Sequence, residues 1–141
     1  MTHRLEIALR WADLDLMGHV NNVRMAEMVQ EARVVFAMGL AGEAGIGPTA
    51  VGAEGFSQVI ARVEIDYLRQ VLLTDRLITF DTSVERVGTT SFTVIHVGRV
   101  PDGHDVVRAR SVMVCIDPAS GRSAPIPAEW RVALESRAEA S

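Results

Sequence analysis

Between Asn21 and Phe36 the apolar side chains recur at a helical interval. Met25, Met28, Val29, Ala32 and Phe36 fall on one side, and Arg24, Glu27, Gln30, Glu31 and Arg33 on the other. This spacing predicts one long amphipathic helix. Asn21 or Asn22 can cap its start by accepting a free backbone N–H, and Gly39 can end it in a left-handed conformation. A glycine- and alanine-rich stretch from Gly39 to Gly55 then reads as a long loop, of a kind that often forms a lid or pocket wall. Past it the interval drops to two: Val59, Ala61, Val63, Ile65 and Tyr67 alternate with a row that includes Arg62, Glu64 and Asp66. Further alternation covers Leu77 to Val84, Phe92 to Val100 and Val106 to Ile116. Turns fall at Gly88-Thr89-Thr90, Pro101-Asp102-Gly103 and Asp117 to Gly121. An earlier strand spans His3 to Trp11, and Pro127-Ala128-Glu129-Trp130 opens a short terminal helix. The predicted class is α+β: a strand, a long helix, then a meander of antiparallel strands, about five strands in all.

One helix on one sheet buries only one face. The other surfaces and the sheet edges call for a second copy, so a homodimer or a dimer of dimers is predicted. The chain has 141 residues, 48% of them hydrophobic, which suits one domain over residues 1–141. No run of about 18 apolar residues occurs, and the start of the chain does not read as a signal peptide, so the expectation is a cytoplasmic protein without a membrane partner. The single cysteine, Cys115, excludes an internal disulfide and most cysteine-rich metal sites. The net charge is −4 and the basic residues, all arginine, are scattered, which argues against nucleic acid as a partner.

Chemically expressive residues concentrate between the first strand and the helix, in Arg10-Trp11-Ala12-Asp13-Leu14-Asp15-Leu16-Met17-Gly18-His19-Val20-Asn21-Asn22. Two carboxylates, a histidine and two amides here precede a helix N-terminus, whose unpaired N–H groups and partial positive charge suit a developing anion. Taken singly, each residue has a plain structural reading: Asp13 or Asp15 caps the turn, His19 packs at its edge, and the asparagines bond locally.

Taken together, the run Asp13-x-Asp15-x-x-Gly18-His19-Val20-Asn21-Asn22, followed by Glu31-Ala32-Arg33 on the helix, resembles the hotdog-fold thioesterases of the 4-hydroxybenzoyl-CoA thioesterase type. It is also similar to the equivalent segment of acyl-carrier-protein thioesterases. The resemblance implies a hotdog fold, a long central helix wrapped by an antiparallel sheet, and hydrolysis of acyl-CoA thioesters without a cofactor, coenzyme A being part of the substrate. It implies that Asp15 is the catalytic carboxylate, that the backbone N–H of Asn22 faces the thioester carbonyl, and that His19 assists. Gly18, Val20, Asn21 and Met25 would then face the substrate. Where some members carry basic residues against the coenzyme A phosphates, this chain has Gly88, Thr89 and Thr90, with Arg86 close by. Where the family often has an aromatic pair, it has Met25 and Ala26. Met17 stands where carrier-protein thioesterases have an asparagine.

A carboxylate is a weak base at neutral pH, so Asp15 either attacks the carbonyl directly, giving a mixed anhydride, or activates a water. Both routes stay open, as do an acyl-carrier-protein thioesterase and a non-catalytic acyl-thioester binding module. No metal site is expected. Asp13 to Gly18 superficially matches the opening of a calcium loop, but Arg24 stands where a bidentate glutamate is needed. Cys115 reads as a core thiol, His96 as a strand histidine and not a ligand, and Ser111 lacks a nucleophile elbow.

Overall fold

The computed structural model describes residues 3–43 and 57–138. Strands β1 (His3–Ala8), β2 (Ser57–Tyr67), β3 (Leu77–Val87), β4 (Ser91–Arg99) and β5 (Asp105–Ile116) form one antiparallel sheet in the order β1-β3-β4-β5-β2. The long helix α1 (Asn22–Glu43) lies against one face, and the short helix α2 (Ala128–Ser136) closes one end of that layer. This is the hotdog arrangement. Among the described residues no helix is long and apolar enough to cross a membrane.

The hydrophobic periodicity placed the elements well, with two differences. Helix α1 runs through Gly39 to Glu43, where a stop at Gly39 was predicted. Leu40 and Ala41 are fully buried under α2, and that burial outweighs the modest cost of a glycine inside a helix. Strand β1 stops at Ala8 and not at Trp11, because Trp11–Asp13 turns into a short 3-10 helix closed by Asp13 onto Arg10. Residues 44–56 of the predicted loop lie outside the described residues.

The core between α1 and the sheet falls into two parts. Met25, Met28, Val29 and Ala32 pack on Ile78, Phe80, Val107 and Ala109, while Phe36 and Leu40 pack on Val84, Phe92, Val94 and Trp130. A polar row separates them. His96 on β4 pairs its Nδ1 with Thr82 Oγ1 at 2.8 Å, and Arg33 donates from α1 to Ser111 Oγ on β5 at 3.3 Å. Arg33 is therefore half-buried, not on the solvent side that its place in the helical repeat suggested. Burial lowers the pKa of His96 to about 4, with the Arg33 charge acting in the same direction. Cys115 is buried in the second part, its thiol pushed up to about 11 by desolvation, which makes it a core residue and not a nucleophile.

The topology also fixes the end of the sheet where the segment joining β1 to α1 lies. Strand β2 lies beside β5 at one edge, whereas β3 lies near the other, so the intervening residues 68–76 must cross the end of the sheet. That crossing is tied down by backbone hydrogen bonds from Leu68 N to Val106 O (2.9 Å), from Val20 N to Val71 O (2.8 Å) and from Leu9 N to Arg76 O (2.8 Å). The segment joining β1 to α1 is thereby clamped against it.

Candidate active site

The two carboxylates of the joining segment have opposite environments. Asp13 is 1% exposed. Its carboxylate accepts from Arg10 N (2.8 Å), Arg10 Nη2 (3.0 Å) and Arg24 Nε (2.9 Å). Burial alone would raise its pKa, but the hydrogen bonds from Arg10 and the Arg24 guanidinium outweigh it and hold the carboxyl below its ordinary value. Asp13 also accepts Asn21 N at its carbonyl, at 2.9 Å, so it staples the turn to the helix start.

Asp15, by contrast, stands in the open on a small hairpin. Leu14 bridges to Val20, Asp15 N donates to His19 O at 2.9 Å, and Gly18 N donates to Asp15 O at 3.1 Å. Gly18 takes φ +80°, a left-handed conformation that glycine adopts without steric cost. Asp15 Oδ1 accepts Met17 N at 2.9 Å, and Oδ2 has no partner among the described residues. The side chain is oriented by one oxygen, leaving the other available.

The helix N-terminus is arranged in a complementary way. Asn21 is the cap: its Oδ1 accepts from Val23 N (2.8 Å) and Arg24 N (3.3 Å), and its carbonyl takes Met25 N (2.9 Å). Among the described residues the N–H of Asn22 has no acceptor. Asp15, His19, Asn22, Val20 and Met25 border one cleft of about 340 Å³. Its far wall comes from the end of β2 and the crossing segment, with Tyr67, Arg69, Gln70 and Val71. The Tyr67 hydroxyl donates to Asn22 O at 3.2 Å. At the rim, Arg69 Nη2 donates to Asp102 Oδ2 at 2.8 Å. The His104 backbone N–H, the Arg69 guanidinium and the His104 ring together hold the Asp102 carboxyl well below the usual carboxylate range.

Of the residues singled out from the sequence, Asp15, Asn22, His19, Val20 and Met25 thus meet at one cleft. Gly18 borders an adjoining depression that also contains Asp15, and Asn21 is committed to capping. Arg86, Thr89 and Thr90 do not join them. They lie at the β3–β4 hairpin, and the register Tyr67↔Val107, Gly98↔Val107 and Phe80↔Gly98 puts the cleft at the opposite strand ends. At about 3.3 Å per residue the separation is roughly 20 Å. The Thr89 and Thr90 carbonyls instead accept Ile126 N and Cys115 N, each within 2.9 Å. Tyr67, read from the sequence only as a strand residue, and Arg69 were not placed at the site because they stand at and just after the end of β2, 45 or more positions beyond the motif. Among the described residues no group of three or more His, Cys, Asp and Glu side chains is placed to hold a metal.

Comparison with known proteins agrees with this fold. The family model described as the thioesterase-like superfamily matches residues 9–134. The long-chain acyl-CoA thioesterase FadM of Escherichia coli is 30% identical over 131 residues, covering 92% of this chain and 95% of that protein. Among solved structures, a predicted thioesterase from Bacillus stearothermophilus superposes with a TM-score of 0.84 at 26% identity, covering 99% of this chain and 98% of the other. A thioesterase from Thermus thermophilus, solved with coenzyme A and zinc, gives 0.77 at 26% identity, covering 94% and 91%. With the family model spanning most of its length, the chain belongs to the thioesterase-like superfamily and is a thioester hydrolase.

Proposed function

We propose that the protein hydrolyses acyl-CoA thioesters to the free acid and coenzyme A, with Asp15 as the catalytic carboxylate. One observation carries this reading: Asp15, with one carboxylate oxygen uncommitted, and Asn22, whose N–H has no acceptor among the described residues, border the same cleft. A thioester carbonyl between them meets an N–H donor for its developing oxyanion and a carboxylate for the nucleophilic step. In one route Asp15 Oδ2 attacks the carbonyl carbon, coenzyme A leaves as the thiolate, and water opens the mixed anhydride. In the other Asp15 takes a proton from a water that attacks. The open position of the side chain leaves room for that water. His19, on the cleft wall, assists by hydrogen bonding. The acyl-CoA thioesterase activity in the name of the Escherichia coli relative supports coenzyme A as carrier.

The working unit is a homodimer formed along β2. That strand is a free edge in the single chain, and Val59, Ile60 and Val63 on it are exposed. The sheet face away from α1 instead carries charge pairs, Arg4 and Arg99 on Asp81 and Arg110 on Glu85, and makes a poor dry interface. Any phosphate contact from Arg86, Thr89 or Thr90, roughly 20 Å from this cleft, is assigned to the site of the second protomer.

Thiol release from acyl-CoA compounds, with the same acyl group compared on an acyl carrier protein, tests the activity. The expected result is turnover with preference for coenzyme A. Saturable binding without hydrolysis would instead make the protein an acyl-thioester binding module.

A further inference from the structure

Asp15 borders two depressions of different chemistry, and among the residues bordering both it is the one they share. One is the cleft just described, whose far wall offers the Tyr67 hydroxyl, Gln70 and the Arg69 guanidinium. The other, of about 540 Å³, is bordered by Trp11, Ala12, Leu14, Leu16 and Gly18. Apart from the shared carboxylate it presents no charged group. Its apolar character follows from the local fold. Burying Asp13 under Arg10 and Arg24 turns Trp11 outward, and the Asp15–His19 hairpin thrusts Leu16 into solvent. Trp11 is 81% exposed and Leu16 entirely so. Two large apolar side chains standing free beside a reactive carboxylate mark a surface that something apolar covers.

The opposite side is built for an anion. Arg69 spends one nitrogen, Nη2, on Asp102, which fixes the guanidinium at the rim; Nε and Nη1 have no partner among the described residues. A guanidinium held in this way still offers its remaining N–H donors to phosphate oxygens.

We propose that the substrate lies across Asp15 with a defined direction: its aliphatic acyl chain runs over Trp11, Leu14 and Leu16, and its phosphorylated carrier arm leaves past Tyr67 and Arg69. This inference rests on the thioesterase reading above and adds the orientation and the residues that set chain-length preference. The thioester carbon, joining an apolar and an anionic half, sits where the two depressions meet. Leu16 and Trp11 contact successive methylenes, so their contribution grows with chain length. Arg69 contacts the part common to all carriers of this type.

The test compares kcat/KM for butyryl-, octanoyl- and palmitoyl-CoA, the last below its micellar concentration, and for octanoyl-N-acetylcysteamine, which lacks phosphate. Wild type, Trp11→Ser, Trp11→Phe, Leu16→Ser and Arg69→Gln are measured, with light scattering on each. Trp11→Ser and Leu16→Ser are expected to lower the palmitoyl-to-butyryl ratio by on the order of tenfold, and Trp11→Phe to retain it. Arg69→Gln is expected to penalise octanoyl-CoA about tenfold more than the N-acetylcysteamine ester, through KM and with the chain-length ratio kept. An unchanged ratio in both serine variants, or equal losses on the two octanoyl esters in Arg69→Gln, overturns the orientation while leaving the activity standing. Dissociation of an oligomer by the serine variants with the ratio retained also overturns it, by assigning the apolar patch to a subunit contact. Absence of hydrolysis of every ester by wild type overturns the thioesterase reading itself.

Discussion

Exchanging the roles of the two carboxylates gives a sharp test of the site. Asp13 is buried with three donors on its carboxylate, whereas Asp15 has one, Met17 N, and faces solvent. Replacing Asp13 by alanine strands the Arg10 N–H and the Arg24 Nε. The Arg10 guanidinium contributes little, since its side chain is 66% exposed, but the Arg24 side chain is only 16% exposed. Hydrogen bonds to charged groups contribute about 1.5–3 kcal/mol each, and two are lost while Arg24 stays paired with Glu31 at 2.7 Å, so a loss of about 3 kcal/mol is expected. For a chain of this size that corresponds to a fall in Tm of roughly 10 °C. The same contribution has a pH signature. Because the folded carboxyl is held below its ordinary value, the stabilisation is present above that value and fades as pH falls through the depressed one. Asp15→Asn, in contrast, keeps an oxygen for Met17 N and should leave Tm within about 1 °C while lowering kcat/KM by on the order of a thousandfold. Thermal melts followed by circular dichroism, beside thiol release, read both quantities on the same samples. A stable Asp13→Ala, or an Asp15→Asn that turns over like wild type, refutes the assignment.

Three further outcomes follow from the packing. Asn21→Ala removes the cap from Val23 N and Arg24 N; a loss of about 1 kcal/mol in urea unfolding is expected, with a fall in kcat as the Asn22 N–H loses its support. Gly98→Ala places a Cβ 2.6 Å from Val107 Cγ1 and 3.0 Å from Phe80 Cε1, both in the core, so chemical denaturation should show a loss of about 2 kcal/mol. His96 is neutral when folded down to about pH 4 but titrates near 6.5 unfolded, so the unfolded state binds the extra proton between these values. Stability is therefore full above about pH 6.5 and falls by about 3 kcal/mol on acidification toward pH 4; His96→Gln should flatten that slope in melts at stepped pH.

The period-two and helical patterns sufficed for the element order and for a helix on an antiparallel sheet, because burial on one face writes itself into the spacing of apolar residues. They misjudged the end of α1, where Gly39 reads as a stop but Leu40 and Ala41 are held by α2, an element more than eighty positions away. They also put Arg33 on the solvent side, since a repeat of apolar positions does not register a polar row lying between two halves of a core. At the site, the motif from Asp13 to Asn22 marked Asp15, His19 and Asn22 as a group, and all three border the cleft.

Which acid is which was another matter. Asp13 and Asp15 are two positions apart with the same side chain, and the resemblance alone favoured the second. The fold separates them physically, because the 3-10 turn directs Asp13 under Arg24 while the Gly18 hairpin turns Asp15 outward. The distant wall of Tyr67 and Arg69, and the distance of Arg86, Thr89 and Thr90 from it, depended on the order β1-β3-β4-β5-β2. Local sequence sets what a segment of chain prefers, through the burial of its own side chains. Which remote segments share a cleft is decided only when the crossing of residues 68–76 brings the ends of the strands together.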